Sequence, residues 1–217
     1  MEIPGVTESI ANHIRQKIIS GELKPGQRLN QIVISNAINV SRPPLREAFR
    51  ILEHEQLVYN ISRKGTYVAE ITKEGFENIY QAREMIECFA VDLLKEKNIR
   101  NLPGMETALR NSLQSDPEKK MDYLMSFIEF HLELVKSADN SFLNHFYQAI
   151  CYNLARYQYM YAWLPGLTQH SQEEHEKIYG LIGDGEYEKA RDFLRTHIRK
   201  FVDLLWSKIE EKESKSI

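Results

Sequence analysis

Two adjacent prolines, Pro43 and Pro44, impose the tightest local constraint on this chain. Proline lacks a backbone N–H and clashes with the preceding turn, so a helix holds it comfortably only in its first turn. A helix through the following residues must therefore start at about Arg42, with Ser41 as N-cap. Leu45, Ala48, Phe49 and Leu52 fall at i, i+3, i+4 and i+7, the apolar stripe of such a helix. Arg42, Arg46 and Arg50 recur every four residues and share a different face. The amides that Ser41 would ordinarily cap belong to the two prolines. Its hydroxyl can then turn to an outside acceptor such as a phosphate. Arginines near a helix N-terminus suit a DNA major groove, and a solvated charged face accounts for the same three residues. The flanking segments decide between these readings.

Upstream, Thr7 can cap a first helix whose apolar face is Ile10, Ile14, Ile18 and Ile19, and Gly21 ends it. Lys24-Pro25-Gly26-Gln27 suits a type II turn. A second short helix spans roughly 30–38, and Asn39, which tolerates the left-handed conformation, breaks it. A helix, a tight turn and a helix opening on polar and basic residues make a helix-turn-helix. Residues 57–61 and 66–69 then read as two strands joined by the basic tip Ser62-Arg63-Lys64-Gly65. The sum is a winged helix.

These residues resemble the N-terminal domain of the GntR family of bacterial transcription regulators. The resemblance rests on Ile18–Gly21, Leu23, Pro25-Gly26, Arg28-Leu29, Val40-Ser41-Arg42, Pro44, Arg46-Glu47-Ala48, Leu52-Glu53, Leu57-Val58, Gly65 and Val68. It implies DNA contact through Ser41, Arg42, Pro43, Arg46, Arg50, Lys64 and Gly65. Arg42 and Arg46 are expected at base edges, Ser41 and Arg50 at phosphates, and the wing tip in the minor groove. Four residues depart from the family pattern. Asn30 and Gln31 stand near a common glutamate, Gln56 replaces a common glycine, and Pro43 replaces a threonine and forgoes its hydroxyl.

From Thr72 onward the pattern is helical. Helices are expected over about 73–97, 105–114, 117–138, 141–162, 172–182 and from beyond Gly185 to about 211. Leu102-Pro103-Gly104 and Asp139-Asn140 act as breaks, Ser171 to Glu174 reads as a capping box, and the tail from Glu210 should fray. Six helices with short connections imply an antiparallel bundle. The expected fold is thus mainly α: a winged helix-turn-helix domain over 1–71, then an all-helical effector-binding and dimerisation domain over 72–217. Charge agrees mildly with that boundary. Residues 1–72 hold nine Lys/Arg against seven Asp/Glu, a net +2, while the whole chain is −3. No apolar run reaches membrane-spanning length, no signal-peptide pattern opens the chain, and Cys88 and Cys151 read as reduced core thiols. These features point to the cytoplasm.

His131, His175 and His197 fall on three different helices of the bundle. A lone histidine on an apolar face is more often a hydrogen-bonded core residue, whereas three converging imidazoles would suit zinc or nickel. Spacing alone leaves both open. The second half resembles the FCD domain of the FadR subfamily, and its six helices look like the VanR-type branch. The matching residues are Arg83 and Glu87, Phe130-His131, Asn140 with Leu143, His175 with Ile178, Gly183-Asp184, Ala190 and His197-Ile198. The resemblance implies a divalent metal on His131, His175 and His197, and a small organic acid effector meeting Arg83 and Phe127. It also implies a homodimer on a pseudopalindromic operator. Metal-binding members carry an aspartate where this chain has Phe127, and Asp122 and Glu129 point away from the His131 face. Arg83 would need an anion, and either Glu87 at i+4 or the effector supplies one. His170 is expected to be exposed, and His13, His54 and His145 match no motif. The rival readings are a metal-dependent helical-bundle enzyme, a metal-free ligand-responsive regulator and an architectural DNA binder. No HExxH or paired-carboxylate motif supports the enzyme.

Overall fold

The computed structural model describes residues 5–161 and 171–214, with side chains except at 160, 161 and 208–214. The chain is mainly helical and divides into two compact units, Met1–Lys73 and Glu74–Ile217. No helix among the described residues is long and apolar enough to cross a membrane.

The first unit opens with α1 (Val6–Ile19), capped by Gly5 without a side-chain bond. Thr7 lies inside its first turn and is not the cap expected. Gly21 follows at a φ of 74°, the left-handed residue that closes the helix. The Pro25-Gly26 turn forms with a bond from Gln27 N–H to Lys24 O and Gly26 at φ 72°. Next come β1 (Arg28–Leu29) and α2 (Gln31–Ala37), whose N-cap Asn30 accepts from the Ile32 and Val33 amides. Asn39 adopts φ 52°, so the chain reverses where the sequence suggested. α3 (Arg42–His54) starts as the prolines dictate, and the Ser41 side chain makes no capping bond. Leu45, Ala48, Phe49 and Leu52 are buried. β2 (Val58–Ile61) and β3 (Gly65–Val68) form the hairpin. β1 pairs antiparallel with β3, giving the order β1-β3-β2. The third strand was not expected, because two residues are too few to show a period. The core combines Ile10, Ile14 and Ile18 with Leu29, Leu57 and Val68 from the sheet and its approach. Beneath the end of α3, the buried Arg15 of α1 holds Glu55 through two bonds of 2.9 and 2.5 Å.

The second unit is built from α4 (Lys73–Glu96), α5 (Pro103–Gln114), α6 (Lys120–Ser137), α7 (Ser141–Tyr161), α8 (Ser171–Gly183) and α9 (Tyr187–Ser214). Pro103 and Gly104 open α5 where a break was expected, because proline fits a first turn. Asp139 at φ 50° ends the run of α6. α5 packs on α6 and α8, α6 on α7, and α8 on α9. The inward line of α4 is Phe76, Tyr80, Arg83, Glu87, Ala90, Val91 and Leu94, all buried. Phe89, whose spacing from Ile86 and Leu93 would suit an apolar stripe, lies on the opposite side and is 47% exposed. His170 and the last three residues lie outside the described part.

Candidate functional site

On the first unit, Ser41, Arg42, Pro43, Arg46, Arg50, Lys64 and Gly65 are all exposed. The three arginines project from α3 away from its buried stripe, and Arg50 pairs on the surface with Glu47 at 2.8 Å. Such an exposed pair contributes little to stability and leaves Arg50 available to a phosphate. At the wing, Lys64 N–H bonds to Ile61 O in a tight turn, with Arg63 at φ 63°. Gly65 has φ 112°, and the position of a Cβ there would lie 3.4 Å from Arg28 Nε. Arg28 reaches the wing only because β1 joins the sheet, which is why the sequence did not reveal it.

In the second unit, α6, α8 and α9 bring His131, His175 and His197 together, all three buried. One ring nitrogen from each lies within 4.8 Å of the other two. The Nε2 atoms of His131 and His175 are 3.0 Å apart. Behind His131, Nδ1 donates to Glu87 Oε2 at 2.7 Å. Glu87 Oε1 accepts from Arg83 Nε and from Tyr147 OH, each at 2.6 Å. Behind His197, Nδ1 donates to Glu174 Oε2 at 2.6 Å, and Lys200 meets the other oxygen at 2.6 Å. Glu174 therefore serves His197 and Lys200, where a reciprocal capping role was expected. His175 is held by its face, stacked on Phe130 with ring centroids 4.2 Å apart. Its Nδ1 has no hydrogen-bond partner among the described residues.

Burial sets the electrostatics of this cluster. It lowers His131 to about 4, with the Arg83 charge acting in the same direction, and drives His175 well below the ordinary range. Both rings are neutral near pH 7, the state in which imidazole can ligate a metal. Burial alone would raise the Glu87 carboxyl, but Arg83 and His131 hold it well below the usual carboxylate range. The bond from His197, together with Lys200, brings Glu174 down to about 2. Burial, with Glu87 adjacent, pushes the Tyr147 hydroxyl well up, so it remains a donor.

The donor set fits zinc or nickel. Neutral imidazoles bind such ions at about 2.0–2.1 Å, and three of them leave a position open. Because Glu87 is ionised, the His131 proton sits on Nδ1 and its Nε2 carries a lone pair. The 3.0 Å contact then has His175 donating through Nε2. For His175 to ligate there, its proton must move to Nδ1, the atom that lacks a partner. Arg83, Phe127, Tyr123, Tyr147, Gln158 and Phe201 line the cavity beside the rings, which holds about 50 Å³ of open space. Phe127 stands 5.8 Å from His175, ring to ring, and adds an apolar wall. Of its two candidate partners, Arg83 meets Glu87, with Nε 2.6 Å from Oε1. Tyr147 was missed altogether, while Phe130 was noted only beside His131 and Glu174 only as a cap, since each acts in the site through a partner on another helix.

A winged helix followed by an all-helical unit is the architecture of a class of DNA-binding transcription regulators. The family model for bacterial regulatory proteins of the gntR family matches residues 6–68, and that for the FCD domain matches residues 78–200. The chain belongs to the GntR family and carries an FCD domain, consistent with the FadR subfamily. It is 27% identical over 220 residues to the HTH-type transcriptional regulator LutR of Bacillus subtilis, covering 89% of this chain and 98% of the relative. It is 25% identical over 210 residues to the gluconate operon transcriptional repressor of Bacillus licheniformis, covering 93% and 84%. Among solved structures, a GntR regulator from Rhodococcus sp. RHA1 superposes with a TM-score of 0.80 at 23% identity, covering 93% of this chain and 97% of that one. The relatives are transcriptional regulators, not enzymes.

Proposed function

We propose that this protein is a cytoplasmic, homodimeric regulator whose operator affinity is set by a small organic acid bound in the histidine cavity, with a divalent ion on His131, His175 and His197. The observation that carries this reading is the convergence of three buried imidazoles beside Arg83. When bound, the ion supplies a Lewis-acidic position for an anionic oxygen, in the place that Phe127 leaves without an aspartate. Arg83 adds a fixed positive charge on the wall. The open space accepts an ion with a water or a carboxylate group, given about 30 Å³ per water. A ligand there alters DNA affinity only through a preference for one dimer arrangement over another. On the DNA side, Arg42 and Arg46 read bases, most simply guanines through paired hydrogen bonds. Ser41 and Arg50 hold phosphates beside Pro43, and Lys64 with Gly65 carries the wing into the minor groove.

Elemental analysis of protein purified without a histidine tag, with zinc or nickel calorimetry on wild type and His175→Ala, tests the centre. Bound metal in the first and histidine-dependent heat in the second are expected. Absence of both leaves a metal-free ligand-responsive pocket, the reading that Phe127 favours.

A further inference from the structure

A neutral imidazole has one protonated nitrogen and one lone pair, and only the lone pair can ligate. Which nitrogen carries it depends on what the other one bonds to. In this bundle two of the three rings have that choice made for them. His131 Nδ1 lies 2.7 Å from Glu87 Oε2, and His197 Nδ1 lies 2.6 Å from Glu174 Oε2. An ionised carboxylate only accepts, so each bond places a proton on Nδ1 and a lone pair on Nε2. The two carboxylates come from different elements: Glu87 from the middle of α4, Glu174 from the first turn of α8. His175 has no such partner. We propose that Glu87 and Glu174 are positioning residues that lock His131 and His197 with Nε2 presented to the ion, leaving His175 as the one ring that must adjust. The proposal rests on the metal reading above and adds residues that lie behind the ligands. It also names the source of ligand basicity in a centre whose inner sphere lacks a carboxylate: a charge-assisted bond behind an imidazole makes it a better donor.

The two residues are not equivalent. Glu87 is wholly buried and shares its oxygens among Arg83, His131 and Tyr147. Replacing it leaves the Arg83 charge inside the bundle without its anion, so a loss of binding there could reflect misfolding. Glu174 stands at the rim, its side chain 17% exposed and its other oxygen on Lys200. Glu174→Gln is therefore the informative variant, and Lys200→Ala is its control, since it removes the neighbour while keeping the bond to His197.

Zinc affinity is measured by chelator competition on the full-length protein, alongside the thermal midpoint of the metal-free form. Glu174→Gln should bind zinc about 10–100-fold more weakly than wild type, with a metal-free midpoint close to wild type, while Lys200→Ala retains wild-type affinity. Equal affinity in Glu174→Gln and wild type overturns the proposal. So does a loss that merely tracks a lowered midpoint. Nitrogen-15 NMR of the metal-free wild-type protein gives a readout that needs no ion. His131 and His197 should both be in the Nδ1–H form, and an Nε2–H form at either ring overturns the assignment. If the tautomers are as stated yet wild type takes no zinc or nickel, the metal reading has failed and the proposal with it. Zinc bound by wild type with Glu174→Gln unaffected removes the proposal alone.

Discussion

Gly65 shows how much one residue can carry. At φ 112° an L residue is strained whatever the space around it, and a Cβ would also meet the Arg28 guanidinium. Gly65→Ala should cost on the order of 1–3 kcal/mol of local strain and weaken operator binding by displacing the wing. Fluorescence anisotropy at fixed salt, with Lys64→Ala for comparison, checks this. On α3, Arg46→Ala should lose roughly 1–3 kcal/mol of specific binding and relax sequence preference. Full affinity and selectivity in that variant would remove Arg46 from the base-reading set. Residues of this kind are legible because their meaning is local: the prolines fix where α3 starts, and a period of four assigns the arginines a face. Glu174 and Tyr147 are not legible, because each acquires its role from a histidine or carboxylate that another helix delivers.

Among the elements, α1 and α3 are joined by more than apolar packing. Arg15 is 3% exposed and holds Glu55, the residue that closes α3. Arg15→Met keeps the length of the side chain but removes the two bonds that Glu55 accepts from the guanidinium. Breaking a buried pair in this way costs about 3 kcal/mol or more. Urea denaturation should show a lower midpoint for the variant, and Arg15→Met with Glu55→Gln should recover part of the loss. An unchanged midpoint would show that the pair contributes nothing net. The helices themselves could be read from their 3.6-residue period, and their ends from Gly21, Asn39 and Asp139, all of which have positive φ. What could not be read was β1, two residues whose strand character comes only from pairing with β3. Nor was the outward turn of Phe89 evident. Its spacing fits the stripe, yet the buried line of α4 passes through Arg83 and Glu87, two charged residues that a hydrophobic pattern discards.

For the whole molecule, the predicted homodimer needs a surface. α4 exposes Met85 (68%) and Phe89 (47%) one turn apart, beside a groove between α4 and α9 of about 600 Å³. The groove mixes acids and bases, among them Glu84 with Arg199 at 2.7 Å and Asp92 with Arg191 at 2.9 Å. A two-fold contact brings a patch against its own copy, so a face carrying both signs around an apolar centre is self-complementary. Phe89→Glu should shift the protein toward monomer in sedimentation velocity and weaken operator binding in step. A wild-type monomer at micromolar concentration, on or off DNA, would overturn the dimer itself.

The three ring nitrogens also have a history within each molecule. His131 and His175 are translated before His197, which sits on the last helix, and Glu87 can align His131 only once α4 and α6 have met. A growing chain that has reached only α8 holds two of the rings and lacks the third. The three-histidine cavity needs α9 in place, so the proposed ion would be captured only by the finished bundle. If the proposed ion is bound, a chain truncated before α9 should lose it together with the cavity, a single loss seen by two assays.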